Sequence, residues 1–156
     1  MKVAALRAAP LLRDFTDVGI RLLAESTTER TVGRGAYAFR AGEPSAVLSF
    51  VVRGTLQLLP REGGAPLAEI APGDTVGGLA LLTSGEHLLS ALASSDVTLL
   101  ELSRKGFEAL QQARPRLCLK LTLALARDLA DRLQEARGPL REFLLWQVSK
   151  RQGEGR

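Results

Sequence analysis

The stretch Gly73–Leu102, GDTVGGLALLTSGEHLLSALASSDVTLLEL, decides how this chain is read. A Gly-Asp turn at 73–74 leads to Gly77-Gly78, and the glycine pair opens a short apolar run, Leu79-Ala80-Leu81-Leu82. A polar loop, Thr83–Glu86, separates that run from two strand-like segments around Leu88–Leu92 and Val97–Leu102. Glycines ahead of a short helical turn leave backbone N–H groups without partners, a ready place for an anion. They also let a ligand approach the main chain closely.

Working outward, the chain has the size and composition of one soluble domain. Its 156 residues can bury an adequate core, and 46% hydrophobic with 24% charged residues is ordinary for a globular protein. One cysteine excludes an internal disulfide framework and suits a reducing compartment; Cys118, in an apolar helical run, reads as a small buried hydrophobe. Arg7 and Arg13 interrupt the apolar residues near the start, so nothing there resembles a signal peptide. No run approaches the ~20 apolar residues of a membrane span. The expectation is a cytoplasmic protein with no membrane contact. From Arg104 onward twelve Lys/Arg stand against six Asp/Glu, but they alternate with Asp128, Asp131, Glu135 and Glu142 as on a solvated helix face. Nucleic acid is therefore not an expected partner.

Residues 1–10 read as a lead-in. Leu11–Glu25 has apolar residues at helical spacing (Leu12, Phe15, Val18, Leu22, with Ile20 and Leu23 widening the face), and Thr16 is a candidate N-cap. From Thr28 to about residue 103 the period changes to short β-rich segments punctuated by glycines. Residues 46–60 read as two strands meeting at Gly54, and 61–65 as a hairpin turn. Such short strands point to a barrel, roll or sandwich. A short helix over Arg104–Gln111 follows, then a long one over about 116–137, whose apolar positions nearly encircle it as far as Ala126. A helix apolar all round must be covered on more than one side, so a second copy of the chain is expected against it. Gly138-Pro139 ends that helix and opens a tail, 138–156, with an apolar cluster at Phe143, Leu144, Leu145 and Trp146. Phe143, Leu144 and Trp146 are candidates for docking an unidentified protein partner.

The Gly73–Leu102 stretch resembles the phosphate-binding cassette of cyclic-nucleotide-binding domains of the catabolite activator family. That cassette reads roughly Gly-Glu-Leu-Ala-Leu-Leu, three loop residues, Pro-Arg-Ala-Ala-Thr-Val, one residue, Ala, two residues, Asp. Gly77, Leu79, Ala80, Leu81, Leu82, Ala93 and Asp96 match, and Ser90 is conservative for Thr. The resemblance runs from about Leu11 to Leu133, within a domain placed at 11–137. It implies an α+β domain, an antiparallel β-roll of the double-stranded β-helix or jelly-roll type, flanked by an N-terminal helix and long C-terminal helices. It implies a ligand site at Gly77, Gly78, Leu79, Ala80, His87, Leu88, Leu89 and Ser90. It also implies a homodimer joined along the long helix, for which Thr122, Leu125, Ala126, Leu129 and Leu133 are the candidate contacts. Relatives begin a helix-turn-helix domain at about Leu140, and with the sequence reaching only Arg156 no such domain is expected here.

Two departures bear on function. The family's Glu, which accepts from the ribose hydroxyl, falls on Gly78, and its Arg, which grips the cyclic phosphate, falls on His87. An enzyme is not indicated: one His and one Cys make no credible dyad, and no serine sits in an elbow motif. The same two residues lack metal-ligand spacing. The expected function is a non-enzymatic regulatory module, degenerate for cAMP and cGMP, needing no cofactor and acting through dimerisation and protein interaction. The alternative is a sensor that binds a cyclic nucleotide or another small anion in the roll.

Overall fold

The computed structural model describes residues 1–135 together with 138, 141 and 142. The chain begins with a helix α1 (Lys2–Arg7), a 3₁₀ turn at Pro10–Leu12 and a helix α2 (Asp17–Glu25). Thr16 caps α2 by accepting from the Gly19 N–H at 3.1 Å, and Asp17 places a carboxylate in the first turn. Because α2 starts at Asp17, Leu12 and Phe15 precede it and do not set its phase. Its buried face is Gly19, Ile20, Leu23 and Ala24, while Val18 is exposed. The expected stripe through Val18 and Leu22 is corrected accordingly. The lead-in also contributes to the core: Leu6 and Ala9 are buried with Leu12 and Leu23.

Eight strands follow: β1 (Thr28–Val32), β2 (Tyr37–Phe39), β3 (Val47–Arg53), β4 (Leu56–Pro60), β5 (Ala68–Ile70), β6 (Thr75–Val76), β7 (Leu89–Ala93) and β8 (Val97–Ser103). They form two four-stranded antiparallel sheets in the orders β1-β8-β3-β6 and β2-β7-β4-β5. This is the expected β-roll. In the first sheet the central strands β3 and β8 are buried on both faces. Along β3 and β8, Val51, Val97 and Leu99 face the roll interior with Leu56, Ile70 and Ala91, whereas Leu48, Phe50, Leu100 and Leu102 face the helices. Successive side chains on a strand point to opposite faces, so a strand covered on both sides reads as a nearly unbroken apolar run.

A four-residue helix α3 (Leu79–Leu82) lies between β6 and β7. After β8 come α4 (Arg104–Ala113), capped by the Ser103 hydroxyl accepting from the Gly106 N–H at 3.0 Å, and α5 (Pro115–Glu135). Pro115 opens α5, where its missing N–H costs nothing. Cys118, Leu121 and Leu125 bury one face of α5 against α4, the 3₁₀ turn and the sheet. Among the described residues, no helix is long and apolar enough to cross a membrane. Phe143, Leu144 and Trp146 lie outside the described residues.

The roll depends on its turns at one position above others. Gly54 carries the chain from β3 in one sheet to β4 in the other with φ +80°, and a Cβ there would stand 2.1 Å from the Asp96 carbonyl oxygen. Left-handed backbone alone costs a non-glycine residue about 1–3 kcal/mol, and the backbone collision adds to it. Gly54→Ala should therefore lower stability by at least ~2 kcal/mol in urea unfolding. Gly33→Ala, where a Cβ meets nothing within 4 Å, should change it by no more than about 0.5 kcal/mol.

Candidate functional site

The end of the roll, the cassette 77–89 and the second half of α5 enclose a cleft of about 580 Å³. Its floor is Phe39, Leu58, Ala68, Ile70 and Leu89 from the roll; Val76, Leu79, Leu82 and Leu88 form a wall. Helix α5 closes it with Leu125, Leu129 and Leu133 and brings Asp128 and Arg132 to its edge.

The cassette is held by specific contacts. Gly77 has φ +78°, and a Cβ there would stand 2.4 Å from the Val47 carbonyl oxygen, so only glycine fits. Gly78 differs: its backbone is helical, and a Cβ would lie 3.2 Å from Leu125 Cδ2. The volume that a carboxylate side chain at 78 would enter is thus partly filled by α5. The Ala80 N–H donates to the Gly77 carbonyl at 2.9 Å, so the turn uses part of the donor set expected to be open. At the other end, Arg104 on α4 donates through Nη2 to the carbonyls of Ala80, Thr83 and Ser45, and through Nε to Ala80 at 3.2 Å. This guanidinium gathers the carbonyl end of α3, where a cation is favoured, and pins the loop to the roll.

His87 stands where the resemblance puts a cation. Its backbone is paired both ways with the 42–43 turn: Gly42 N–H donates to the His87 carbonyl at 2.8 Å, and His87 N–H to the Glu43 carbonyl at 2.9 Å. Its ring stacks on Phe39, centroids 3.8 Å apart and planes 8° from parallel. Burial pushes its pKa below the ordinary 6.5, with Glu43 pulling the other way. At neutral pH the side chain is a neutral ring that offers no guanidinium fork.

Of the residues expected to hold a ligand, Gly77, Gly78, Leu79, His87, Leu88 and Leu89 line the cleft. Two do not. Ala80 is 1% exposed and packed into the interior. Ser90 turns its hydroxyl to the Ala41 N–H at 2.9 Å and serves the join between β2 and β7. The charges near the cleft were not foreseen. Arg132 is bound to Asp128 at 2.8 Å and donates to the Thr75 carbonyl and hydroxyl, each at 3.0 Å. The i,i+4 spacing of Asp128 and Arg132 is legible in sequence as a helix pair; their tether to β6 is not.

The expected dimer contacts separate into two groups. Leu125 is 4% exposed within its own chain, Leu129 lines the cleft, and Thr122 donates to the Cys118 carbonyl at 2.9 Å. The face of α5 left outward is Leu119, Leu123, Ala126 and Ala130, with Leu119 60% and Leu123 49% exposed, and Leu133 stands at the edge where this face meets the cleft. Their spacing alternates four and three, the repeat of a coiled-coil seam. The outward stripe therefore shares only Ala126, and Leu133 at its edge, with the expected one. The amphipathic pattern left the phase open because both faces are apolar. Among the described residues, no group of three or more His, Cys, Asp and Glu could hold a metal ion.

Residues 29–114 match the family model described as the cyclic nucleotide-binding domain. Over 125 residues the chain is 30% identical to an uncharacterised NTE family protein of Mycobacterium tuberculosis, covering 80% of this chain and 21% of the relative. Over 129 residues it is 30% identical to the cyclic AMP receptor protein of Thermus thermophilus, covering 81% and 60%. The N-terminal domain of a transcriptional regulator from Streptomyces coelicolor, a solved structure, is similar with a TM-score of 0.73 at 28% identity, over 86% of this chain and 98% of that one. The chain thus spans about a fifth of the mycobacterial relative and three-fifths of the Thermus one.

The buried His87 ring makes stability sensitive to mild acid. Its folded pKa lies below the unfolded value, so the unfolded chain takes up this proton first as the pH falls. The His87 contribution is complete above the ordinary value of 6.5 and declines below it, towards the lowered folded value. Melting temperatures at pH about 7.5 and about 5.5 should show a drop in the wild type that is smaller in His87→Phe. An equal drop in both proteins would show that His87 is not held neutral.

Proposed function

The chain belongs to the cyclic nucleotide-binding domain family, and we propose that it is a non-enzymatic regulatory module of that family whose cleft no longer takes cAMP or cGMP. The observation that carries this reading is the pairing of Gly78 with Leu125: position 78 offers no carboxylate to a ribose, and a methyl of α5 stands 3.2 Å from where its Cβ would be. Its companion is the neutral His87 stack in place of a phosphate-gripping arginine. The module acts as a homodimer through the outward seam Leu119–Leu123–Ala126–Ala130–Leu133, and through a protein partner. A receptor role is the second reading. It is favoured by the size of the cleft and by the name of the Thermus relative, a cyclic AMP receptor protein.

Calorimetry with cAMP and cGMP tests the first reading. Two lost hydrogen bonds to charged groups are worth roughly 3–6 kcal/mol together, enough to turn a micromolar site millimolar or weaker. The wild type should therefore give no heat of binding at micromolar nucleotide. Recovery of binding should require three changes, Gly78→Glu and His87→Arg with Leu125→Ala to open the space. The last change costs about 2–5 kcal/mol of stability as a buried Leu→Ala. Tight wild-type binding would instead establish the receptor reading.

Light scattering after size exclusion tests the dimer. Leu123→Glu should yield a monomer, because a carboxylate in the seam would be buried without a partner. Leu129→Glu should leave the dimer intact and affect the cleft. A monomeric wild type at tens of micromolar would contradict the proposal.

A further inference from the structure

The cleft retains a shape and a chemistry of its own. Its volume of about 580 Å³ falls in the range of pockets that hold drug-sized ligands. Most of its wall is apolar, from Phe39, Leu58 and Ile70 on the roll to Leu125, Leu129 and Leu133 on α5. The Phe39–His87 stack adds a flat aromatic surface. The charged groups among its described lining are four carboxylates, Asp74, Glu86, Asp128 and Glu135, against one guanidinium, Arg132. That guanidinium pairs with Asp128 and also donates to Thr75, which leaves Asp74, Glu86 and Glu135 as the net negative charge of the described lining. These three carboxylates stand on exposed residues at the opening, where they disfavour an anion through a solvent-screened repulsion.

We propose that the cleft binds a neutral or cationic, largely apolar small molecule and excludes anions. This goes beyond the loss of cyclic-nucleotide binding: an apolar cavity with few polar groups is a binding site in its own right, with the charge preference of its rim. The apolar body of the ligand would lie between the roll floor and the leucines of α5. A positive end would lie towards the carboxylates of Asp74 and Glu86.

A matched pair of fluorescent probes tests it on the full chain. N-phenyl-1-naphthylamine is neutral, and 1-anilinonaphthalene-8-sulfonate is the same ring system bearing a sulfonate. The neutral probe should bind saturably at one per chain with a blue-shifted emission, and the sulfonate at least about tenfold more weakly. Ala68→Trp, which fills the floor, should abolish binding of the neutral probe while the protein still melts cooperatively. Leu89→Trp serves the same purpose if the first variant does not fold. Glu86→Lys should narrow the gap between the probes. Equal or tighter sulfonate binding by the wild type, absence of saturable binding of the neutral probe, or unchanged binding in a folded tryptophan variant would overturn the proposal. Failure of the neutral probe alone leaves the cyclic-nucleotide reading standing, whereas displacement of the probe by micromolar cAMP overturns both.

Discussion

The contact between Leu125 and Gly78 is the constraint on which the site depends. A glycine with helical backbone at 78 allows α5 to settle with a leucine methyl 3.2 Å from where a Cβ would stand. The same leucine belongs to the buried face of α5 with Cys118 and Leu121, so its position is fixed by packing under the helices. One side chain thus joins the core to the cassette. A side chain at 78 would require the Leu125 methyl to give by a few tenths of an ångström.

From that placement the two faces of α5 follow. With Leu125 turned inward, Leu129 lies over the cleft and Arg132 reaches Thr75 on β6. Leu119 and Leu123 are then turned to the opposite side and remain exposed. A change in the cleft that moved α5 would also move the outward leucines, because both lie on one 21-residue helix. Arg104 restrains the other side of the cassette by holding the carbonyls of Ala80 and Thr83 against α4. The cassette is therefore anchored by packing at its glycine end and by charge-assisted hydrogen bonds at its carbonyl end.

Much of the fold could be read from the residues. Gly54 and Gly77 marked turns where the backbone approach admits no side chain, and the change of period at Thr28 marked the start of the strands. The cassette placed α3, β7 and β8 in order. The phase of helices with two apolar faces was harder to read. In α2 the helix starts at Asp17, as the Thr16 cap implied, yet its buried face lies away from Val18, and in α5 the sequence pattern could not separate Leu125 from Leu123. Those assignments depend on which neighbour each face meets, and that is decided by residues distant in the chain. The same reason hid the acidic rim: Asp74, Glu86 and Asp128 are ordinary turn or helix residues until the fold brings them to one opening. Ser90 matched the cassette by type, yet its hydroxyl is spent on the Ala41 N–H.

The proposed loss of cyclic-nucleotide binding rests on one place, where Gly78 meets Leu125 beside the neutral His87 ring. Methyl and amide NMR of the wild type, titrated with cAMP, reads that place directly at Leu125 and Gly78. Both signals should stay unmoved at micromolar nucleotide, with shifts appearing at millimolar concentration or not at all. Saturating shifts of Leu125 and Gly78 at micromolar cAMP would contradict it.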